Sequence, residues 1–371
     1  MTNTLDQVRI MPLPGTERMG NAILSHLKFQ NKGTPSLVDY KYDRFLDGDG
    51  KIGLNTTSIR DKIVFLLVDP YNYGETYVFR GQERATSPDE HVKNVHRAIS
   101  AMNGKEQQLY VVSPLLYQAR QDRRNGKNES LDMAIELNNL KDRARKLQGI
   151  ITMDVHNPAA FENSLPDFNC INLYPASALL QTLIKDIASY LSDVLVIAPD
   201  EGAAKRARIF ADILDQSPCS NFHKRRDFSK KDTILEHTYN GNPNEVVGKY
   251  VIVPDDLIAT GTTMLDVAQK SKEMGAKGVS LMASHASFTK GAEKFDQAYE
   301  KGYFDKLYTT NGSYIPEEIL HKPWYQAVDC APMLAKMITC VCQGGSLTEQ
   351  MNLAERKVLE EVLRLKASIA I

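Results

Sequence analysis

The sequence predicts an α/β protein with two doubly wound parallel-sheet domains. Short apolar runs alternate with segments of helical periodicity along most of its 371 residues, a pattern typical of parallel sheets with crossover helices. This length, with 42% hydrophobic and 25% charged residues, suffices for two globular domains with sizeable cores. Polar residues end the predicted strands in both halves, at the sheet edge where ligands of such folds bind.

The elements follow in chain order from these patterns. Predicted strands at 63–69, 108–114, 149–156 and 194–200 are followed by predicted helices near 89–103, 130–147, 175–191 and 202–215. After residue 230 the strands resume at 250–256, 278–286 and 306–310, with a helix at 264–274 and a packing helix within 346–371. Segments 70–90 and 221–232 lack periodicity, so we expect mobile loops there.

Composition excludes several classes of protein. The 45 Lys and Arg residues nearly balance the 46 Asp and Glu residues, and a net charge of -1 argues against nucleic acid as a partner. The five cysteines show neither a C-x-x-C pair nor zinc-like spacing, which favours reduced thiols in a cytosol. The N-terminal segment lacks an apolar signal core, and no apolar run reaches the length of a membrane span. We therefore expect a cytoplasmic protein without a membrane partner.

The stretch 251–263, which a predicted helix at 264–274 follows, predicts a sugar-phosphate site. An apolar strand ends in Asp255 and Asp256, whose carboxylates suit ribose hydroxyls or a bound Mg²⁺. The loop that follows opens a helix, where free amides and the helix dipole favour an anion. This loop consists of Thr260, Gly261, Thr262 and Thr263, which offer three hydroxyls and one position for close backbone approach. The alternative is an ordinary strand–loop–helix connection with an Asp-Asp turn, and this motif alone does not decide between them.

Charged residues at other positions are candidate ligands for a polyphosphate. Segment 117–124 combines three arginines with a carboxylate, which suits phosphate contact or purine stacking, although such a run is usually solvated. His156 ends a predicted strand, where a lone histidine is more often structural than a ligand. Asp200 precedes a predicted helix, where acids are favoured in any case. The cations at 224–226 either close over a polyphosphate or are simply solvated.

In order and spacing, these segments resemble motifs of the ribose-phosphate pyrophosphokinases, the synthetases of phosphoribosyl pyrophosphate. The matching segments are FLDGD (45–49, family F-S-D-G-E), IRDKIVF (59–65, V-R-G-x-D-V-F), YQARQDRR (117–124, Y-A-R-Q-D-R-x), MDVH (153–156, M-D-L-H), PDEGAAKRAR (199–208, P-D-x-G-G-x-x-R-A-R), HKRRD (223–227, D-K-R-R) and DDLIATGTT (255–263, D-D-x-x-D-T-x-G-T). The resemblance implies two domains of the type I phosphoribosyltransferase kind. Residues 1–172, completed by 327–371, would form the ATP side, and 173–326 the ribose 5-phosphate side.

The resemblance also implies a role for each matching residue. ATP would contact Arg120, Gln121 and His156, together with Phe45, Asp47 and Asp49 of a neighbouring subunit. Ribose 5-phosphate would contact Asp255, Asp256, Thr260, Gly261, Thr262 and Thr263, and Mg²⁺ would be held by His156, Asp200, Asp255 and Asp256. Lys224 and Arg226 would stabilise the transition state of pyrophosphate transfer from ATP to the C1 hydroxyl of ribose 5-phosphate. The implied assembly is a homo-oligomer, either a dimer or a hexamer built from dimers.

Departures from the family pattern mark a divergent member. Ala259 stands where the synthetases often have Asp, and Thr262 where they have Gly, so we expect a reshaped turn because β-branched residues disfavour positive φ. The segments 70–90 and 309–316 are lengthened. Three alternatives remain open: the same chemistry on a larger acceptor that ends in ribose 5-phosphate, a phosphoribosyltransferase, and a catalytically silent regulatory homologue.

Overall fold

The computed structural model of this chain describes residues 4–30, 33–54, 59–124, 126, 128–216, 219–226 and 234–369. The chain divides into two compact units. Unit 1 comprises 1–174, 312–314 and 330–347, and unit 2 comprises 175–311, 315–329 and 348–371. Each unit contains a mainly parallel sheet whose strands alternate with helices, which confirms the predicted α/β fold class.

Unit 1 is built on a six-stranded parallel sheet with two appended hairpins. Its strands are β1 (Val8–Pro12), β2 (Ser36–Leu37), β3 (Tyr40–Arg44), β4 (Gly50–Leu54), β5 (Ile63–Leu67), β6 (Thr76–Phe79), β7 (Gln82–Ala85), β8 (Gln108–Val112), β9 (Leu147–Met153) and β10 (Asn169–Leu173). Its first helices are a 3-10 helix at Thr4–Gln7, α1 (Glu17–Gln30), α2 (Pro88–Met102), α3 (Asp132–Arg143) and α4 (Pro158–Ser164). The sheet order is β10-β9-β8-β5-β1-β2, and β3–β4 and β6–β7 pair as antiparallel hairpins.

Strands β5, β8 and β9 of unit 1 appear where the sequence predicted apolar runs, whereas β1, β2 and β10 of the same sheet were not predicted. All residues of β5 are buried, as expected for an inner strand of a parallel sheet covered on both faces. The segment 70–90, expected to be a mobile loop, instead contains hairpin β6–β7 and the start of α2. That expectation was wrong because the hairpin strands are mostly exposed and therefore carry no apolar periodicity.

Unit 2 contains a seven-stranded sheet in the middle of the chain. Its strands are β11 (Val194–Ala198), β12 (Ser220–Arg226), β13 (Ile234–Asn240), β14 (Tyr250–Ile258), β15 (Gly278–Ala286), β16 (Lys306–Thr310) and β17 (Tyr325–Val328). Its helices are α5 (Ala176–Asp186), α6 (Ala204–Ile213), α7 (Thr262–Glu273), α8 (Glu293–Glu300) and α9 (Glu317–Leu320), with 3-10 helices at Ala188–Asp193, Glu201–Ala203 and Pro243–Glu245. The order is β13-β12-β11-β14-β15-β16-β17, parallel except for the antiparallel β12–β13 pair.

The last two helices belong to different units. Helix α10 (Ala331–Gln343) packs against α1 in unit 1. Helix α11 (Leu347–Ile369) lies almost entirely in unit 2, where Val358 and Val362 are buried in an apolar cluster with residues of α5 and α6. The sequence predicted that 327–371 completes the first domain. Helix α11 instead belongs to unit 2, because its apolar face packs on the core of that unit.

A short excursion of the chain, residues 312–314, belongs to unit 1 and is held by a buried carboxylate. Asp69, just beyond β5, accepts hydrogen bonds from Ser313 Oγ at 2.8 Å and from the Tyr314 amide at 2.6 Å. Burial raises the pKa of Asp69 to about 6, against the lowering effect of these hydrogen bonds. The lengthened segment seen in the sequence thus has a defined anchor.

The segment 221–232, expected to be a loop, begins as strand β12, which pairs with β13. Residues 227–233 lie outside the described part of the chain. Where the structure is described, none of its helices combines the length and apolarity needed to cross a bilayer.

Candidate functional site

Two adjacent carboxylates lie near the carboxyl end of the central strand β14. The side chain of Asp256 is almost fully buried, whereas that of Asp255 is partly exposed. The Asp256 amide donates to Asp255 Oδ1 at 2.9 Å, and the Leu257 amide donates to Asp256 Oδ1 at 2.8 Å. Each carboxylate therefore accepts a backbone hydrogen bond that fixes its orientation at the edge of the sheet.

Arg206 on helix α6 lies close to both carboxylates. Its guanidinium is 3.8 Å from Asp255 Oδ1 and 4.0 Å from Asp256 Oδ2. Burial and the neighbouring Asp256 carboxylate raise the pKa of Asp255 well above its usual range, and Arg206 only partly offsets them. Asp200 adds to the negative charge and caps a short 3-10 helix through the Ala203 amide at 3.2 Å. Asp200, Asp255 and Asp256 thus bring more negative charge together than Arg206 balances, and this suits the binding of a cation.

The predicted Mg²⁺ ligands fit only part of a metal cage. Within the described ranges, no three His, Cys, Asp or Glu side chains are gathered so that they could hold a metal ion by themselves. Mg²⁺ is commonly bound by one or two carboxylates, with the remaining ligands supplied by water and substrate oxygens. Asp255 and Asp256 suit that arrangement, and the negative charge of Asp200 also acts on Asp255. His156 belongs to unit 1, and its role toward a metal stays a prediction.

The loop after β14 turns sharply into helix α7. Gly261 has φ +72°, and a Cβ at this position would lie 2.2 Å from the Phe295 ring. Thr262 is the first residue of α7, and the Leu265 amide donates to Gly261 O at 2.9 Å. The distortion expected at Thr262 is therefore absent, because the left-handed residue of the turn is Gly261.

The same loop gathers groups that suit an anion. The first amides of a helix have no partner within the helix and point toward its N-terminus. Thr260 Oγ1 and Thr262 Oγ1 are 3.2 Å apart beside these amides. Lys294 on helix α8 brings its ammonium to 3.4 Å from Thr262 Oγ1. The structure thus brings the predicted phosphate-loop residues, completed by Thr263 in the first turn of α7, to one helix N-terminus.

Neither Arg206 nor Lys294 was among the residues predicted from the sequence. Arg206 lies within the PDEGAAKRAR motif, but the motif does not show which of its basic residues faces the carboxylates. Lys294 lies 31 positions beyond Thr263 in sequence number and reaches the loop only through tertiary packing. That packing is fixed by Thr289, whose amide and Oγ1 both donate to Ala259 O, at 2.9 and 3.0 Å.

In unit 1, two neighbouring parallel strands carry the predicted ATP residues. Strands β8 and β9 are paired, and Arg120 and Gln121 follow β8 while His156 follows β9. All three side chains are exposed. Asn157 Nδ2 donates to Asp122 Oδ2 at 2.6 Å and joins the two loops. The structure therefore brings Arg120, Gln121 and His156 to one sheet edge, as ligand binding at such an edge requires.

The 45–49 segment is the tip of hairpin β3–β4. The Phe45 amide donates to Asp49 O at 2.8 Å, and the Asp49 amide donates to Asp47 Oδ1 at 3.1 Å. Arg44 Nη1 donates to Gly48 O at 2.7 Å and holds the turn from below. The Phe45 side chain is 52% exposed, so this tip is available to another molecule. Its insertion into a neighbouring subunit stays a prediction.

Lys224 and Arg226 lie on strand β12, near the end of a hairpin. In the backbone register Lys224 pairs with His237, and an irregularity falls between Arg225 and Arg226. Such an irregularity interrupts the alternation of side chains along the strand. The side chains of residues 224–226 lie outside what the structure describes. Their predicted roles rest on the sequence.

Comparison with known proteins gives consistent matches. A family model described as the phosphoribosyl transferase domain matches residues 172–320. A ribose-phosphate pyrophosphokinase of Prochlorococcus marinus (strain MIT 9313) is 31% identical over 245 residues, which is 66% of this chain and 69% of that protein. Another, from P. marinus subsp. pastoris, is 25% identical over 353 residues, which is 94% of this chain and 95% of that protein.

A solved structure shares the fold. The crystal structure of phosphoribosylpyrophosphate synthetase from Mycobacterium smegmatis matches with a TM-score of 0.74 and 20% sequence identity. The match covers 91% of this chain and 100% of that chain. The two-sheet architecture is therefore shared along almost the whole chain.

Gly261→Ala should destabilise the protein by at least about 3 kcal/mol, because it combines backbone strain with a clash against the Phe295 ring. Gly291→Ala is the matched control, since Gly291 also has positive φ (+70°) but its Cβ would meet nothing within 4 Å. We expect that control to cost only about 1 kcal/mol. Denaturant unfolding measures both values, and equal losses would contradict the role assigned to the Phe295 contact.

Asp255→Asn should raise the melting temperature at neutral pH by about 2–4 °C. The folded-state pKa of Asp255 lies above its unfolded value, so ionised Asp255 lowers stability, and this cost disappears below the unfolded pKa. The asparagine still accepts the hydrogen bond from the Asp256 amide, so the substitution removes the charge without removing this bond. Since Asp255 is protonated in acid, the gain in melting temperature should vanish there.

Asp296→Asn is the opposite case in the same unit. Burial raises the pKa of Asp296, but hydrogen bonds from Lys322 and Trp324 lower it overall. This substitution should lower the melting temperature at neutral pH. Calorimetry distinguishes the two signs, and a loss of stability in both variants would contradict like-charge repulsion at Asp255.

Proposed function

Because this chain belongs to the ribose-phosphate pyrophosphokinase family, we propose that it transfers the pyrophosphoryl group of ATP to the C1 hydroxyl of ribose 5-phosphate. The products are phosphoribosyl pyrophosphate and AMP. The observation that carries the proposal is the pair Asp255 and Asp256 next to the Gly261 turn at the N-terminus of α7. A diol or metal clamp and an oxyanion pocket thus lie on consecutive segments of the chain.

Ribose 5-phosphate binds by its two chemically distinct ends. The phosphate accepts from the first amides of α7 and from the hydroxyls of Thr260, Thr262 and Thr263, with Lys294 adding a positive charge. Asp255 and Asp256 accept hydrogen bonds from ribose hydroxyls. Burial and the Asp256 carboxylate raise the pKa of Asp255. A hydrogen-bond donor or a cation beside Asp255 therefore stabilises its ionised form.

The nucleotide binds at the edge of the first sheet. Arg120 and Gln121 contact the nucleotide, His156 contacts its phosphates, and the tip at 45–49 of a neighbouring subunit covers the adenine. Mg²⁺, when bound, neutralises charge on the polyphosphate and polarises the phosphoryl group. The C1 hydroxyl attacks the β-phosphorus in line, and AMP leaves. The cations of Lys224 and Arg226 meet the charge that spreads over the transferred group.

Product analysis tests the reaction directly. The purified protein with Mg-ATP and ribose 5-phosphate should form AMP and phosphoribosyl pyrophosphate in equal amounts, and chelation of Mg²⁺ should stop turnover. Asp256→Asn should abolish the reaction. Asp212→Asn, an exposed carboxylate on α6 whose partner is Arg208, is the control and should not change it.

The alternatives give different products in the same experiment. ADP as the product would identify an ordinary kinase and contradict the proposal. Turnover that consumes phosphoribosyl pyrophosphate and a base without ATP would identify a phosphoribosyltransferase. Binding of both ligands without turnover would identify a silent homologue. Mass spectrometry on a panel of ribosyl phosphates identifies a larger acceptor.

Lys224→Ala and Arg226→Ala should each lower kcat by about 100- to 1,000-fold with little change in apparent KM, as for removal of one preorganised donor. Stability should change by no more than about 0.5 kcal/mol. Arg225→Ala is the matched comparison and should be tolerated better. Steady-state kinetics with calorimetry checks all three variants, and equally small effects at all three positions would favour a solvated basic strand and a silent homologue.

A further inference from the structure

A buried histidine at the base of hairpin β12–β13 makes two directed hydrogen bonds. His237 Nδ1 is 2.5 Å from Asp266 Oδ2, and its Nε2 is 2.8 Å from Pro199 O. The His237 side chain is only 3% exposed. Its ring also packs against Phe222, with the ring centroids 4.9 Å apart. No motif predicted from the sequence includes His237 or Asp266.

Both ring nitrogens of His237 face acceptors. The Pro199 carbonyl can only accept, so Nε2 must carry a hydrogen. Asp266 Oδ2 also accepts from the Lys270 ammonium at 2.9 Å. Although burial raises the pKa of Asp266, the Lys270 ammonium favours its ionised form, and this carboxylate can accept from Nδ1. The geometry is satisfied by an imidazolium that donates from both nitrogens.

These hydrogen bonds join three segments of the proposed sugar site. His237 is the backbone partner of Lys224 in the hairpin. Pro199 precedes Asp200 in the connection that follows β11. Asp266 lies four residues, about one helical turn, after Thr262 in helix α7. One side chain thus fixes the hairpin relative to a carboxylate loop and to the phosphate-loop helix.

The hairpin needs such an anchor because few backbone bonds hold it to the sheet. In the described residues, strand β12 pairs with β11 at Ser220 and Asn221. After Asn221 it pairs with β13. An exposed contact also joins the hairpin to the 3-10 helix after β11, since His223 Nδ1 lies 2.8 Å from Glu201 Oε1. Exposed pairs contribute little, typically about 0–1 kcal/mol. The buried His237 contacts therefore constrain the hairpin more strongly than this exposed pair does.

We propose that His237 is a positioning residue, whose two N–H groups hold the hairpin that carries Lys224 against Pro199 O and the Asp266 carboxylate. It touches neither substrate nor metal and acts through the placement of the hairpin. This inference rests on the proposed function for its catalytic consequence, whereas the doubly protonated, hydrogen-bonded state of His237 does not depend on it.

The protonation state can be read without turnover. ¹⁵N NMR of histidine-labelled full-length protein at neutral pH should show both ring nitrogens of His237 protonated, the signal being assigned by its loss in His237→Phe or, if that variant does not fold, in His237→Gln. In Asp266→Asn the amide can donate to Nδ1, so the ring should become neutral with its hydrogen on Nε2. Among the described residues, Asp266 on α7 contacts the ring, and Lys270 on the same helix bonds both Asp266 and the backbone carbonyl of His237. A neutral His237 in the unmodified protein would overturn the proposal.

Kinetics test the positioning role. His237→Phe keeps a ring against Phe222 but donates no hydrogen bond, and it should lower kcat by up to about 100-fold, the cost of misplacing a catalytic group by about 1 Å, with both KM values nearly unchanged. Asp266→Asn keeps the bond to Pro199 and should retain most of the activity. Tyr239→Phe, on the same strand and against the same Phe222 ring, is the matched control and should be fully active.

The outcomes separate this inference from the proposed function. A kcat for His237→Phe equal to that of Tyr239→Phe would overturn the positioning role. Should His237→Phe not fold, His237→Gln takes its place, and a kcat equal to that of Tyr239→Phe would then overturn the positioning role. A protein that makes no phosphoribosyl pyrophosphate but shows the doubly protonated His237 would contradict the proposed function alone and support the hydrogen-bonded anchor.

Discussion

Two like charges at the end of a buried strand are the constraint on which the site in unit 2 depends. Asp255 and Asp256 are adjacent in β14, where burial and mutual repulsion oppose ionisation. Arg206 approaches no closer than 3.8 Å and offsets only part of this cost. A structure that keeps such an arrangement stores unfavourable electrostatic energy, which a cation or a set of hydroxyl donors relieves on binding.

The phosphate half of the site depends on backbone geometry more than on side-chain identity. Gly261 supplies the left-handed residue, and the Phe295 ring closes the space that any side chain there would need. Ala259, a departure from the family pattern, contributes its carbonyl, which accepts both donors of Thr289. Because the carbonyl is common to all residues, this hydrogen bonding survives the substitution. Alanine at position 259 therefore leaves this anchoring of the loop intact.

The sequence predicted those parts of the fold in which burial dictates residue type. Strands such as β5, β11 and β15 are buried at every position, so they read as continuous apolar runs. The antiparallel strands β6, β7 and β12 were missed because cross-strand hydrogen bonds stabilise them, and these leave no apolar pattern. The Asp-Asp pair and the phosphate loop were found because they are contiguous. Arg206, Lys294 and His237 were missed because each meets its partner only after the chain has folded.

His237 shows why residues of that last kind escape motif analysis. Its ring contacts Pro199, Asp266 and Phe222, which lie on a strand-to-helix connection, a helix and a neighbouring strand. A neutral imidazole cannot donate to a carbonyl and a carboxylate at once, so the proposed anchor requires a charged ring with a hydrogen on each nitrogen. Burying that charge is tolerable because Asp266 balances it and Lys270 in turn holds Asp266. The proposed anchor thus lies directly across the hairpin from the backbone of Lys224.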